Sequence, residues 1–211
     1  MRGLANPDSK IYSILNKLAF LVELNLLVVL CSLPVVTAGA AFCSMHAVLL
    51  KIYRGEESRI GLDFFRAMKE NLKNGTALWL LLLGYLGVLA GVWCLAAARL
   101  PEGGGVYLLF VLLLAAVLGS LYLDWAMILQ SRYVYTVSQC LRNALLAWIE
   151  YPGSTVVYLI SLAIPMVLCL SLQILPLVLL LGITAPHFIS TTLYSRVFDR
   201  MEGISEGTHK L

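Results

Sequence analysis

The chain has 211 residues, of which 60% are hydrophobic and 13% charged, against about 25% charged in a typical soluble domain. With a mean hydropathy of +0.87, this excludes a soluble enzyme or module and leaves one all-α polytopic bundle of about five to seven membrane spans. The net charge of +3 gives no basis for nucleic-acid binding, because the basic residues cluster beside apolar segments.

Taken in chain order, residues 1–14 are polar and expected to be frayed or interfacial. No cleavable signal peptide is expected, since the first apolar segment is too long for one. From Leu24 to Leu50 there is no Asp, Glu, Lys or Arg. Counted from Leu15 to Tyr53, the segment is roughly twice the ~20 residues that a hydrocarbon core about 30 Å thick requires. Pro34 lacks an N–H and crowds the preceding turn, while Gly39 tolerates backbone angles that other residues avoid. The sequence therefore predicts a hairpin of two spans, 15–33 and 38–53. Thr37 is expected to cap the second span, its hydroxyl accepting a backbone N–H.

Residues 60–73 follow as an amphipathic helix. Ile60, Phe64, Phe65, Met68 and Leu72 are expected to form one apolar stripe, with Arg66, Lys69, Glu70 and Lys73 around the other side. Such a helix lies in the membrane interface or docks on a partner. The third span is placed at 76–98 and carries Gly87 and Gly91, a GxxxG pair expected to let another helix of the bundle approach closely. A turn at Arg99–Gly105 leads to span four at 106–130, and a second amphipathic inner helix is placed at 136–150. Span five is placed at 155–172 with a kink at Pro165, and span six at 177–196. Trp79, Trp93, Trp125 and Trp148 are expected at headgroup level. With a cytoplasmic N-terminus, fourteen of the fifteen basic residues face the cytosol and only Arg99 lies outside. The positive-inside rule thus favours six spans, as three hairpins with both termini inside the cell. A faint repeat relates Asn71 to Asn143, and Leu33-Pro34 with Thr37-Ala38 to Leu175-Pro176 with Thr184-Ala185.

Polar groups inside spans are functional candidates by default. Here they are Glu23, Asn25, His46, Asp124 and His187. Glu23 and His46 sit at similar depth on adjacent antiparallel spans and are placed to pair. The alternative for each is a rim residue hydrogen-bonded to a neighbour. The five cysteines are scattered singly, and no CxxC or Cys/His spacing points to a metal; buried, reduced thiols are expected. No GxSxG, HExxH or DxD arrangement is present, so no catalytic residue, metal or cofactor is assigned and the chain is not expected to be an enzyme.

Asn25, the stretch Leu33-Pro34-Val35-Val36-Thr37-Ala38-Gly39-Ala40-Ala41, Gly55-Glu56-Glu57, Phe64-Phe65 and Asn71-Leu72-Lys73 together resemble the YesL-like family of bacterial integral membrane proteins, a domain of unknown function. The similarity continues weakly through Leu141-Arg142-Asn143-Ala144. The resemblance implies a multi-pass plasma-membrane protein of Gram-positive bacteria, often encoded beside carbohydrate ABC importers. It suggests an accessory or regulatory component of such a system, held in the lipid bilayer and contacting importer subunits or another membrane protein. Phe64, Phe65, Arg66, Asn71, Arg142 and Asn143 are its candidate docking residues. A loose similarity of residues 143–153 to the coupling loop of ABC permeases points the same way. The rival expectation is a small-solute-binding membrane subunit or transporter. Six spans and the AxxxW of Ala144–Trp148 are similar to substrate-binding components of energy-coupling-factor importers.

Overall fold

In a computed structural model, residues 10–56, 59–97, 99, 104–133, 135–153, 156, 159–160 and 182–201 are described. The elements are α1 (Lys10–Ser32), a single 3-10 turn (Val35–Thr37), α2 (Ala38–Arg54), α3 (Ile60–Ala97), α4 (Gly104–Arg132), α5 (Val137–Glu150) and α6 (Thr184–Met201). Among the described residues there is no strand, and the first four α-helices are long and apolar enough to cross a membrane. The predicted span five, the first part of span six, Pro165, Cys169 and Leu175-Pro176 lie almost wholly outside the described residues.

The bundle is organised around α2. Twelve of its seventeen residues are buried, whereas α1 and α3 bury mainly one side and α4 is buried mainly in its C-terminal part, from Leu121 to Gln130. Its opening run Ala38-Gly39-Ala40-Ala41 has almost no side chain, so α3 can pack against it backbone to backbone. A Cβ on Gly39 would collide with the Gly75 carbonyl and with Trp79, and one on Gly75 would lie 3.0 Å from the Ala40 Cα. Close approach of this kind is how helices associate where lipid removes the hydrophobic drive. On the other side, Leu21, Leu24 and Val28 of α1 form one apolar cluster with Ala41, Met45, Val48, Leu49 and Ile52 of α2. Pro34 and the 3-10 turn after it separate α1 from α2, and Gly55 ends α2 in the left-handed conformation (φ 72°), its N–H donating to Ile52 O and Lys51 O.

Several expectations are corrected. The Thr37 hydroxyl accepts no cap bond; it donates to Cys31 O (2.7 Å) and Pro34 O (2.9 Å), because the tight turn leaves those carbonyls nearer than any free N–H. Residues 60–73 are not a separate helix. They are the first part of the 38-residue α3, which runs on through Gly75 because glycine, unlike proline, keeps its N–H in the ladder. The buried stripe is Ile60, Phe64 and Asn71, while Leu62, Phe65 and Leu72 are exposed beside Arg66, Lys69 and Lys73. At Gly87 and Gly91, no described atom lies within 4 Å of where a Cβ would stand. The glycine contacts that join helices are instead at Gly39–Gly75 and at Gly119, which sits under the Tyr85 ring. Trp125 does not project to the outside of the bundle; it is 1% exposed among the helices, edge-on to Tyr194. Cys94 is exposed rather than buried.

Candidate functional site

A polar network first fixes where the helices sit. In the middle of an apolar surface, a buried amide must find partners or leave hydrogen bonds unmade. Gln130 of α4 donates through Nε2 to Asn71 Oδ1 (3.2 Å) and accepts at Oε1 from the Cys140 thiol of α5 (3.0 Å). Asn71 Nδ2 in turn donates to Ala67 O. One buried glutamine thus ties α3, α4 and α5 together. Burial pushes the Cys140 thiol up to about 11, so it acts as a donor and not as a thiolate. A capping box starts α5, with Gln139 N donating to the Thr136 hydroxyl and Thr136 N to Gln139 Oε1.

A second set of bonds fixes α6. Asn25 Oδ1 of α1 accepts from Ile183 N (3.2 Å) and Thr184 N (3.1 Å), and the Thr184 hydroxyl donates to Leu21 O (3.0 Å). The first N–H groups of a helix have no intrahelical acceptor; here another helix supplies one, from 158 residues earlier in the chain. Pro186 follows inside the first turn, where its missing N–H leaves nothing unsatisfied. His187 is therefore delivered into the core at a fixed depth.

Opposite it stands His46, on the buried face of α2. The two imidazoles meet edge to face, with ring centroids 4.9 Å apart and planes at 82°. His46 Nε2 lies 4.0 Å from Asp124 Oδ1, too far for a hydrogen bond. Ligand atoms of His46, Asp124 and His187 all lie within 4.8 Å of one another. Both histidines are 4% exposed, and among the described residues neither ring nitrogen of His46 makes a hydrogen bond. Beside the cluster is a cleft of about 210 Å³, lined by Asp124, His187, Phe42, Trp79, Ser120 and Met127 among others. The Trp79 indole N–H on its wall is also buried without a partner among the described residues.

Of the five polar residues singled out in the sequence, His46, Asp124 and His187 come together. Asn25 serves as the cap for α6. Glu23 is exposed on α1 and does not pair with His46, because its position around the helix axis turns it outward while His46 faces the core. Its carboxylate is 3.9 Å from where a Cβ on Gly61 would be. Of the docking candidates, Phe64 and Asn71 are buried and hold the bundle together, whereas Phe65, Arg66 and Arg142 are exposed and Asn143 is half-buried. Ala144 and Ala147 are buried and Trp148 lies against Tyr122, so residues 143–150 form a packed helix and not a projecting loop. Sequence reasoning missed Gln130, whose signal was a lone amide ending an apolar run.

Residues 21–91 match a family described as "Protein of unknown function, DUF624". The YesL-like family carries this domain, in agreement with the resemblance read from Asn25, the Pro34–Gly39 turn and Asn71. The DUF624 match takes in α2 with His46 and the Gly39–Gly75 contact; Asp124 and His187 lie outside it. No curated protein and no solved structure matches the chain.

A second cleft, also about 210 Å³, opens at the end of the bundle where α2 finishes and α3 begins. It is lined by Lys51, Arg54, Glu56, Asp63, Arg66, Glu70, Asn71 and Arg132 along with smaller residues. Lys51 Nζ pairs with Asp63 Oδ1 at 2.9 Å and Arg54 with Asp199 of α6 at 3.8 Å. The C-terminal ends of α2 and α6 therefore share this end with the start of α3.

Proposed function

We propose that the chain is a six-span plasma-membrane protein with both termini in the cytosol, acting as an accessory or regulatory component of an ABC-type carbohydrate uptake system. The observation that carries the docking part of this reading is the charged cleft between α2, α3 and α4, flanked by exposed Leu62, Phe65 and Leu72 and by Arg66, Lys69 and Lys73. Exposed apolar side chains set among charged ones offer a partner both apolar contact and polar pairing, the two ingredients of a protein interface. The Arg54–Asp199 pair supports the topology, because it brings Arg196 and Arg200 to the same end as the basic 51–73 segment, as the positive-inside rule requires. The carbohydrate assignment rests on the family resemblance alone. Cross-linking in the native membrane under sugar induction, followed by purification of the tagged chain, is expected to recover importer subunits. Arg66→Glu together with Phe65→Ser is expected to abolish the recovery. Finding no transporter subunit in the wild-type sample would overturn the proposal.

The second reading, a small-solute-binding membrane subunit, is favoured by a different observation: the cleft beside His46, Asp124 and His187 combines apolar walls with a few convergent polar groups, the usual character of a ligand site. A saturable thermal shift with a small solute, abolished by Asp124→Asn, supports that reading; no shift across a solute panel counts against it.

A further inference from the structure

Histidine and aspartate together inside an apolar bundle call for a reason. A buried imidazole without hydrogen bonds gives up its hydration for nothing in return, and a carboxylate within a membrane span is expensive however it is solvated. Both nitrogens of His46 are in that position, with Asp124 Oδ1 4.0 Å away and His187 in ring contact. The three side chains come from α2, α4 and α6, so local spacing gives no sign of them. Each is anchored separately: α2 by the Gly39–Gly75 contact, α4 by Gln130, and α6 by the Asn25 cap.

We propose that His46, Asp124 and His187 bind one divalent transition-metal ion of the Zn2+ type, with its fourth coordination position facing the cleft. Two imidazoles and one carboxylate are a donor set that suits zinc and its neighbours, and three protein ligands leave one position open. Magnesium and calcium are disfavoured, since they take mostly oxygen ligands and more of them. With metal–ligand bonds of about 2.0–2.2 Å, tetrahedral donors stand about 3.3 Å apart. The present atoms, all within 4.8 Å of one another, stand at most about 1.5 Å beyond that spacing, so a bound ion would draw the three side chains together. One carboxylate leaves the site with a net positive charge, so the cleft position takes water as hydroxide or an anionic group. Ser120 and the Trp79 N–H on the cleft wall are donors suited to such a ligand. This site stands apart from the charged cleft proposed for docking, and either can fail without the other.

The test uses the full chain purified in detergent, stripped with a chelator and titrated with Zn2+ or Co2+ alone. One ion per chain by elemental analysis is expected, together with the intense visible absorption of four-coordinate Co2+. His46→Gln, His187→Gln and Asp124→Asn are each expected to weaken binding by about 100-fold, the upper end of what even outer-sphere changes cause. Glu23→Gln is expected to bind as wild type. Should the site variants fail to fold, X-ray absorption on the Zn2+-loaded wild type decides the matter by whether it shows two imidazole ligands. Substoichiometric metal, a six-coordinate Co2+ spectrum, absence of the imidazole signature, or unchanged binding in folded His46→Gln would each overturn the proposal.

Discussion

The Asn25 cap makes the sharpest prediction. Replacing Asn25 with Ala removes the one oxygen that accepts from both Ile183 N and Thr184 N, in a place where Asn25 is 0% exposed. Each buried N–H left without an acceptor costs about 1–3 kcal/mol, and loss of a helix cap alone costs about 0.5–2 kcal/mol. Partial relaxation of the first turn of α6 lowers the total to about 2–4 kcal/mol, which in a chain of this size lowers the melting temperature by about 5–15 °C. The Thr184 hydroxyl bond to Leu21 O survives, so the expected damage is local. Hydrogen exchange followed by mass spectrometry should show peptides spanning 183–187 losing protection first. Asn25→Asp keeps an acceptor oxygen at a helix N-terminus, where negative charge is favourable, and should keep more of that protection than Asn25→Ala, although a buried carboxylate in a span lowers overall stability. If Asn25→Ala melts and exchanges like the wild type, the cap is not what places His187.

Gly39→Ala, whose methyl would strike the Gly75 carbonyl, should destabilise by about 1–3 kcal/mol as an overpacked contact. Gly87→Ala, with no neighbour among the described residues within 4 Å of the added methyl, should be neutral or stabilising by up to about 1 kcal/mol; thermal unfolding of the pair checks the contrast, and equal effects would refute it. Gln130→Leu strands the Asn71 amide and the Cys140 thiol and should cost about 1–3 kcal/mol, measured in the same way, whereas unchanged stability would show that the network is dispensable. Because burial raises the Cys140 thiol to about 11, its thiolate fraction at pH 8 is about one in a thousand. A membrane-permeant maleimide should therefore label Cys140 far more slowly in the folded chain than after unfolding in SDS, and faster in the folded chain only as pH rises towards that value. Equal rates at pH 8 would contradict its burial.

Much of the scaffold was legible because its signals are local. Pro34 interrupts a charge-free run and the backbone turns there; Gly55 closes α2; the apolar runs give helices at α1 to α4. What was not legible depends on partners. Nothing at Gly75 says whether a helix stops or passes, and the decision lies with Gly39 on another helix. GxxxG at Gly87 and Gly91 has the right pattern and no described neighbour, while Gly39 and Gly75 have the neighbour without the pattern. Depth along a span singled out His46, Asp124 and His187, but rotation about the helix axis decides who meets whom. That rotation turned Glu23 outward and brought His46 towards Asp124 and His187. The same reasoning applies to Phe64 and Phe65, neighbours in sequence that face the core and the exterior respectively.

The buried cluster exists only if α6 returns against α2, so that residues far apart in the chain converge. In a cysteine-free background, His46→Cys with His187→Cys, treated with a short bifunctional thiol reagent in native membranes, tests this directly. Mass spectrometry should find one intramolecular cross-linked peptide joining α2 to α6, and none when His187→Cys is paired instead with Gly87→Cys on the outer part of α3. Singly labelled cysteines at 46 and 187 with no bridge between them would contradict the arrangement.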